Sequence, residues 1–551
     1  MKKYLLLLIG FLPLFATAQT DLGSGVEKLA GMIGEVQVGK DVFQQELTYS
    51  KEKPYLLEFT ITQTDSKGRT SSETFSWNLS HIEPNLVKWE DGRDQIKVAL
   101  SAGRKEYVKK LEDGELDGYD NEVLMLATDI DNARAMVALI KEMIPLAVSA
   151  WEADSAFPEE YNALKVWVSQ QITSVSFGED RYKQEWTFSA DHPSRLSYFS
   201  SKEGDKAVDT ENQFNLADIN PNEILVKVRG EQVLLELATS GNKRYVRVLE
   251  NGAVGNYATD VTVLFDDIDE ALELSQALKS LVKQAVETQK TYYPAVSSVE
   301  AAIAGVQESL VPFELAGTSY KPAMGSGCMA EFTLVTENER GSEEQKYIFN
   351  WADLDKGATE VKVKGKEIGL EVQIKGRADY IYLAEDGEQQ NYTESLFFPV
   401  PDIPTVKQLQ HYISGMVDAC PIDVQKADWS WLKKEIQEGA VSGEGVTQSV
   451  DLLESNNCKW VLEIKEEGKK SQEDRYEFNL YDINPKGVEL QISGKKVLIE
   501  LETVGKAEII QKYTNAEELG YEDTLTFEVK DVATGKVMIA SIMALIEGCK
   551  Q

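Results

Sequence analysis

Histidine is nearly missing from this chain of 551 residues, which has only His81, His192 and His411. They are scattered and form no local cluster, whereas a zinc site needs several nitrogen or sulfur ligands converging. Positive charge is also scarce: 57 Lys and Arg stand against 92 Asp and Glu, a formal charge of −35. Such a surface repels phosphate backbones and anionic head groups, which excludes nucleic acid and anionic membranes as expected partners. After the first 18 residues no apolar run reaches the ~20 residues a membrane span requires. The longest late run, 537–546, reads as part of a helix. Catalytic signatures are absent as well, with no Gly-x-Ser-x-Gly elbow, phosphate loop or His-Glu-x-x-His. Ser-x-x-Lys occurs at Ser50/Lys53, Ser240/Lys243, Ser280/Lys283, Ser430/Lys433 and Ser493/Lys496, scattered and without companion motifs. No catalytic residue, cofactor or metal is therefore expected.

What is present begins with a leader. Lys2 and Lys3 precede an apolar run, and Ala16-Thr17-Ala18 supplies the small-residue pattern of a signal peptidase site. Residues 1–18 are read as a signal peptide, and losing Lys2 and Lys3 takes the charge from −35 to −37. The expected product is soluble and exported, periplasmic or extracellular. At 42% hydrophobic and 27% charged, the composition is that of ordinary globular protein. The length predicts several domains.

Internal repetition supplies the organisation. Trp77-Asn78-Leu79-Ser80-His81-Ile82 is echoed by Phe214-Asn215-Leu216-Ala217-Asp218-Ile219, Phe349-Asn350-Trp351-Ala352-Asp353-Leu354 and Phe478-Asn479-Leu480-Tyr481-Asp482-Ile483. A second landmark, a tyrosine ten residues before an aspartate, recurs at Tyr119/Asp129, Tyr257/Asp267, Tyr392/Asp402 and Tyr521/Asp531. From copy to copy the asparagines and the tyrosines advance in step, never differing by more than one position, so two landmarks share one register. Four modules are expected, at 19–150, 159–290, 297–421 and 427–551. Their linkers carry Tyr, Trp and Pro rather than Gly/Ser runs, which suits fixed packing.

Each module reads as an opening amphipathic helix, a set of strands and a closing helix. Val26, Leu29 and Ile33 mark the first opening helix, and Trp429, Leu432 and Ile436 the last. In the first module strands are expected near 43–49, 56–62, 73–79, 86–89, 95–100, 106–111 and 122–127, separated by Gly-containing turns. Asp129 and Asp131 offer N-cap carboxylates to a closing helix with Met136, Leu139, Ile140 and Met143 on one stripe. The fold class is α+β, each repeat a roughly seven-strand antiparallel meander or partly open barrel between two helices. This layout, with the aromatic-Asn-Leu strand end and the Asp-Ile-x-x-Ala helix start of the first two copies, resembles the pleckstrin-homology-like superfamily. A lipocalin-like or sandwich module is the competing fold. The resemblance implies recognition of peptides or lipid head groups. The first-hairpin loops (Ser50 to Pro54, Gly178 to Arg181, Tyr320 to Ala323 and Glu454 to Asn457) are mixed, neutral or acidic, so lipid binding is not carried over.

The four cysteines lie in the last two modules. Cys420 and Cys549 each fall eighteen residues past a helix-opening aspartate, and Cys328 and Cys458 each precede a Glu-apolar strand landmark. Four cysteines permit three connectivities, and repeat equivalence selects Cys328–Cys420 and Cys458–Cys549 as structural disulfides. Tyr55/Ala147 and Tyr182/Ala285 are read as the matching places in the first two modules.

Other recurrences have plainer readings. Asp113-Gly114-Glu115-Leu116-Asp117-Gly118 imitates a calcium loop, but position twelve is Leu124, so a hairpin turn is expected, as at Asn251, Asp386 and Asn515. The strand-end asparagines are expected to bond their own backbone, and His81 to be a polar turn residue. Glu58, Glu185, Glu331 and Glu463 are read as a repeated carboxylate on outer strand faces. Function is expected to be non-catalytic binding or scaffolding of a protein or peptide by tandem modules. A structural envelope component, perhaps cation-bridged, and a hydrolase with an inter-module site are the alternatives.

Overall fold

The computed structural model describes residues 14–92, 95–204, 207–421, 426–439, 445–453, 458–467 and 471–550. It divides into two compact units, one ending at Tyr292 and the other beginning at Tyr293. The architecture is mixed helix and antiparallel sheet, with eight α-helices and eight open sheets among the described residues.

The first unit opens on helix α1 (Leu14–Ala30), which buries Leu22, Val26 and Leu29. Ile33 lies beyond its end, and Ala18, the expected cleavage point, falls within it. Residues 1–13 of the expected leader, and the loop at Glu454 to Asn457, lie outside the described residues. Nine strands follow: β1 (Val36–Val38), β2 (Asp41–Tyr49), β3 (Leu56–Thr64), β4 (Thr70–Asn78), β5 (Lys88–Asp91), β6 (Ile96–Ser101), β7 (Val108–Glu112), β8 (Glu115–Asp120) and β9 (Glu122–Ala127). They do not form one seven-strand meander or barrel. The chain pairs β1-β2-β3-β4-β7-β8 in one open sheet and β5-β6-β9 in another, crossing between them after β4, β6 and β8. The expectation missed β1, which has three residues, and β8, whose polar Glu115 to Asp120 sequence reads as loop. Leu86 belongs to a 3-10 turn (Pro84–Leu86) rather than to a strand. Helix α2 (Ile130–Asp154) then closes over α1 and the sheets, burying Met136, Leu139, Ile140, Met143 and Ala147. Of the two aspartates at its start only Asp129 caps, accepting from Asn132 N at 2.7 Å, while Asp131 is exposed.

The rest of the first unit carries helix α3 (Tyr161–Gln171), another six-stranded and three-stranded sheet, and helix α4 (Ile268–Lys290). The second unit carries helices α5 (Val299–Ser309), α6 (Ile403–Ala419), α7 (Trp429–Glu438) and α8 (Val532–Cys549). Its sheets have six and three strands before α6, and five and three between α7 and α8. Helix α8 is long and apolar enough to cross a membrane, but its Met538, Ile542 and Ile546 pack in the protein core.

Two devices recur in this framework. Asn78, Asn215, Asn350 and Asn479 each end a strand and accept a bond from the amide two residues on, at 2.9–3.0 Å, capping a 3-10 turn. The second device joins the two sheets. Gln45 donates to Leu126 O and accepts from Leu126 N, so its carboxamide pairs with strand β9 as a backbone amide would. Gln184 does the same with Leu264, and Gln448 with Glu528. Each also donates to the chain just after the opening helix or at its last turn: Gly34 O, Thr173 O or Ile436 O. Pro322 holds the corresponding strand position in the remaining sheet, opposite Leu334 as Gln45 is opposite Ile61.

The cysteines pair as Cys328–Cys420 and Cys458–Cys549, closing 92 and 91 residues. The bonds Leu79 N to Tyr55 O, Leu216 N to Ser194 O, Trp351 N to Cys328 O and Leu480 N to Cys458 O fix which residues match. Tyr55 is therefore the counterpart of Cys328, but in the next stretch the place belongs to Ser194. Tyr182 lies on the preceding strand, Asp180–Phe188. Tyr55 is buried in the same core as Ala147 and donates to Asp154 at 2.9 Å, while the fully buried Ser194 hydroxyl bonds Tyr161 at 3.0 Å. The same register separates the four glutamates. Glu58 and Glu331 lie opposite the residue two before the asparagine, Glu463 opposite the residue four before, and Glu185 is on another strand.

Two expectations follow. Gln184→Leu strands the amide and carbonyl of Leu264 and should cost about 2–4 kcal/mol in urea unfolding, whereas Glu185→Gln on the exposed face should change little. Reductant should destabilise the second unit by about 4–5 kcal/mol per bridge and leave the unfolding transition of the first unit where it is.

Candidate binding cleft

In the first unit the 3-10 turn capped by Asn78 meets the start of α4. Asn78 Nδ2 donates to Asp269 Oδ1 at 2.8 Å, and Tyr119 Oη donates to Asp266 O at 3.3 Å. His81 closes a 3-10 turn, as its sequence suggests, but it is not solvated. Its side chain is buried edge-on to Tyr107 and Trp151, with Nε2 3.3 Å from Asp269 Oδ1 but off hydrogen-bond direction. Burial disfavours charge on both groups. It pushes Asp269 up to about 7, with Asp267 and Glu273 adding to the effect and the Asn78 bond opposing it. Burial, then the Lys105 charge, holds His81 down to about 4.

In the second unit the corresponding seam opens into a cleft of about 810 Å³. Tyr380, Tyr382 and Tyr392 wall it, and Met329, Ile348, Val497 and Val532 supply apolar surface. Tyr382 and Tyr392 meet edge to face, with centroids 5.8 Å apart. Asp353, three residues past Asn350 as His81 is past Asn78, pairs with Lys536, whose ammonium also lies 4.9 Å over the Tyr380 ring. Backbone contacts fix the walls: Tyr392 N donates to Gly494 O at 3.1 Å and Gln389 Nε2 to Lys495 O at 2.8 Å. Burial, then Asp531 and Tyr382, raises the Tyr392 phenol to about 12, so it remains a neutral donor.

The acids of this cleft all have structural tasks. Asp353 pairs with Lys536, Glu528 with Lys496 at 3.3 Å, and Asp531 caps α8 through Thr534 N at 2.7 Å. Lys495 and Lys530 also line it; both are exposed, and neither forms a salt bridge among the described residues. Their counterparts in the first unit, counted from the strand start and from the capping aspartate, are Glu231 and Asp266. At these two positions one seam is therefore acidic and the other basic.

The remaining singled-out residues do not converge there. His192 accepts from Ser194 N at 3.1 Å, and His411 stacks on Tyr293. Asp113 adopts φ 50° at a hairpin turn and accepts from Ser72 N at 2.9 Å. Asn251, Asp386 and Asn515 tie their hairpins to the neighbouring strand in the same way. Among the described residues no group of three His, Cys, Asp or Glu is placed to hold a metal. The cleft itself was missed because its walls come from stretches of chain far apart in the sequence.

The buried pair sets a pH dependence. Asp269, with its pKa raised on folding, contributes stability fully below about 4 and loses it as pH rises toward 7. His81, lowered from 6.5, costs stability as pH falls from 6.5 toward 4, so the two largely cancel in that window. Asp269→Asn should stabilise the first unit by about 1–3 kcal/mol at pH 8. It should also unmask a loss on acidification from 6.5 to 4, read by urea melts across pH. No protein-family model, curated protein or solved structure matches this chain.

Proposed function

We propose that the chain is four copies of one module joined in two pairs, acting outside the cytoplasm as a non-catalytic binding protein for a peptide segment. The observation that carries this reading is the cleft walled by Tyr380, Tyr382 and Tyr392. Its size suits a few residues of chain, and rigid aromatic walls give large contact area at small entropic cost. Its acids are held by structural partners, which favours recognition over proton transfer. The exposed Lys495 and Lys530 favour a segment carrying carboxylates. Two disulfides suit an oxidising, exported environment, in line with the leader-like start of the chain.

The test is selection from a displayed library of random octapeptides against the full chain. Retained peptides should place an acidic residue beside an aromatic or aliphatic one. Lys530→Glu and Tyr382→Ala should each weaken their binding by about tenfold or more. Equal retention by both variants would assign the peptides to another surface.

A further inference from the structure

The two seams share one docking arrangement, and the ends of the chain carry its two halves without partners among the described residues. The receiving half is the asparagine-capped turn with the tyrosine hairpin beside it: Asn78, His81, Tyr107 and Tyr119 in the first unit, Asn350, Asp353, Tyr380 and Tyr392 in the second. The inserting half is a helix start: Asp269 and Leu272 of α4, or Val532 and Lys536 of α8. In the stretch after α7, the receiving positions are Asn479, Asp482, Ile509 and Tyr521. Tyr521 is 53% exposed where Tyr392 is 9%, and Tyr481, Ile509 and Leu519 are exposed around it. At the start of α2, the inserting positions are Ile130, Asp131 and Arg134. Ile130 is 38% exposed where Ile268 is 7%, and Leu124 beside it is exposed too.

We infer that these two free faces bind each other between copies of the chain, the α2 start of one copy docking on the Asn479–Tyr521 face of the next. The inference rests on the four-copy reading above. Superposing the register of the two seams on this contact gives complementary chemistry at each position. Asn479 meets Asp131, as Asn78 Nδ2 meets Asp269. Asp482 meets Arg134, as Asp353 meets Lys536. Tyr521 faces Thr128 O, as Tyr119 faces Asp266 O. Arg134 is 62% exposed, and among the described residues it is held by Asp131, one helical turn back at 3.3 Å, and by the Trp89 ring at 5.7 Å. Both are contacts that a seam can replace. An exposed apolar patch at one end and a matching helix start at the other form a heterologous contact, which propagates copies head to tail.

Sedimentation of the full chain across a concentration series tests this. The wild-type mass should rise stepwise with concentration. Asp482→Arg and Arg134→Asp should each shift that rise to at least tenfold higher concentration. The chain carrying both should recover it, because the exchanged charges again meet as opposites, a recovery that misfolding cannot produce. A wild type that stays monomeric across the series, or single reversals without effect, would overturn the inference. Retention of cleft-bound peptide by Asp482→Arg keeps this outcome separate from the ligand reading, as does unchanged assembly of Lys530→Glu.

Discussion

Two open sheets in one small body present a problem of edges, and in three of the four sheet pairs a single carboxamide bridges them. A glutamine facing inward from strand β2, or its counterparts, offers one donor and one acceptor to the backbone of the last strand. It thereby extends the hydrogen-bond ladder of one sheet across the gap to the other. An apolar residue of similar size would fill the space but leave an amide and a carbonyl unpaired in a low-dielectric interior. Where Pro322 replaces the glutamine, no such bridge forms, and Phe332, Phe349, Trp351 and Phe398 pack in an aromatic cluster.

The seams show one geometry carrying two chemistries. The same turn and the same helix start meet in both units, yet His81 faces Asp269 in one and Asp353 faces Lys536 in the other. In the first unit burial drives both partners toward neutrality, and the contact is close. In the second the charges are opposite and satisfied, and the surrounding tyrosines line a cleft. Exchanging a few side chains at fixed backbone positions thus turns a packing joint into a receptive surface.

What the sequence made legible was whatever repeats or acts locally. The asparagine caps, the Asp129 cap and the hairpin turns depend on neighbours within a few residues. The disulfide pairing was readable because recurrence removes two of three connectivities. Failures trace to non-local causes. Gln184 on an alternating strand is indistinguishable from any solvated polar residue until its partner, 80 residues away, is known. Tyr182 and Glu185 were matched by local wording, Glu beside an apolar residue, one strand too early. His81 stands in the turn its sequence suggests, but its burial against Tyr107, Trp151 and Asp269 comes from residues far along the chain that leave no trace in its own neighbourhood.

The disulfides have a mechanical meaning. Each joins the residue before a strand to the end of the closing helix, so tension applied along the chain passes through sulfur and bypasses nearly everything between. The stretches 329–419 and 459–548 are shunted from load. The first unit has Tyr55 and Ser194 where the second has Cys328 and Cys458, and its strands must bear the force themselves. Pulled at its ends, the protein behaves as a spring of unequal halves. The first unit should lengthen further than the second, in which only the stretches outside the two loops, 299–327 and 429–453, can be drawn out.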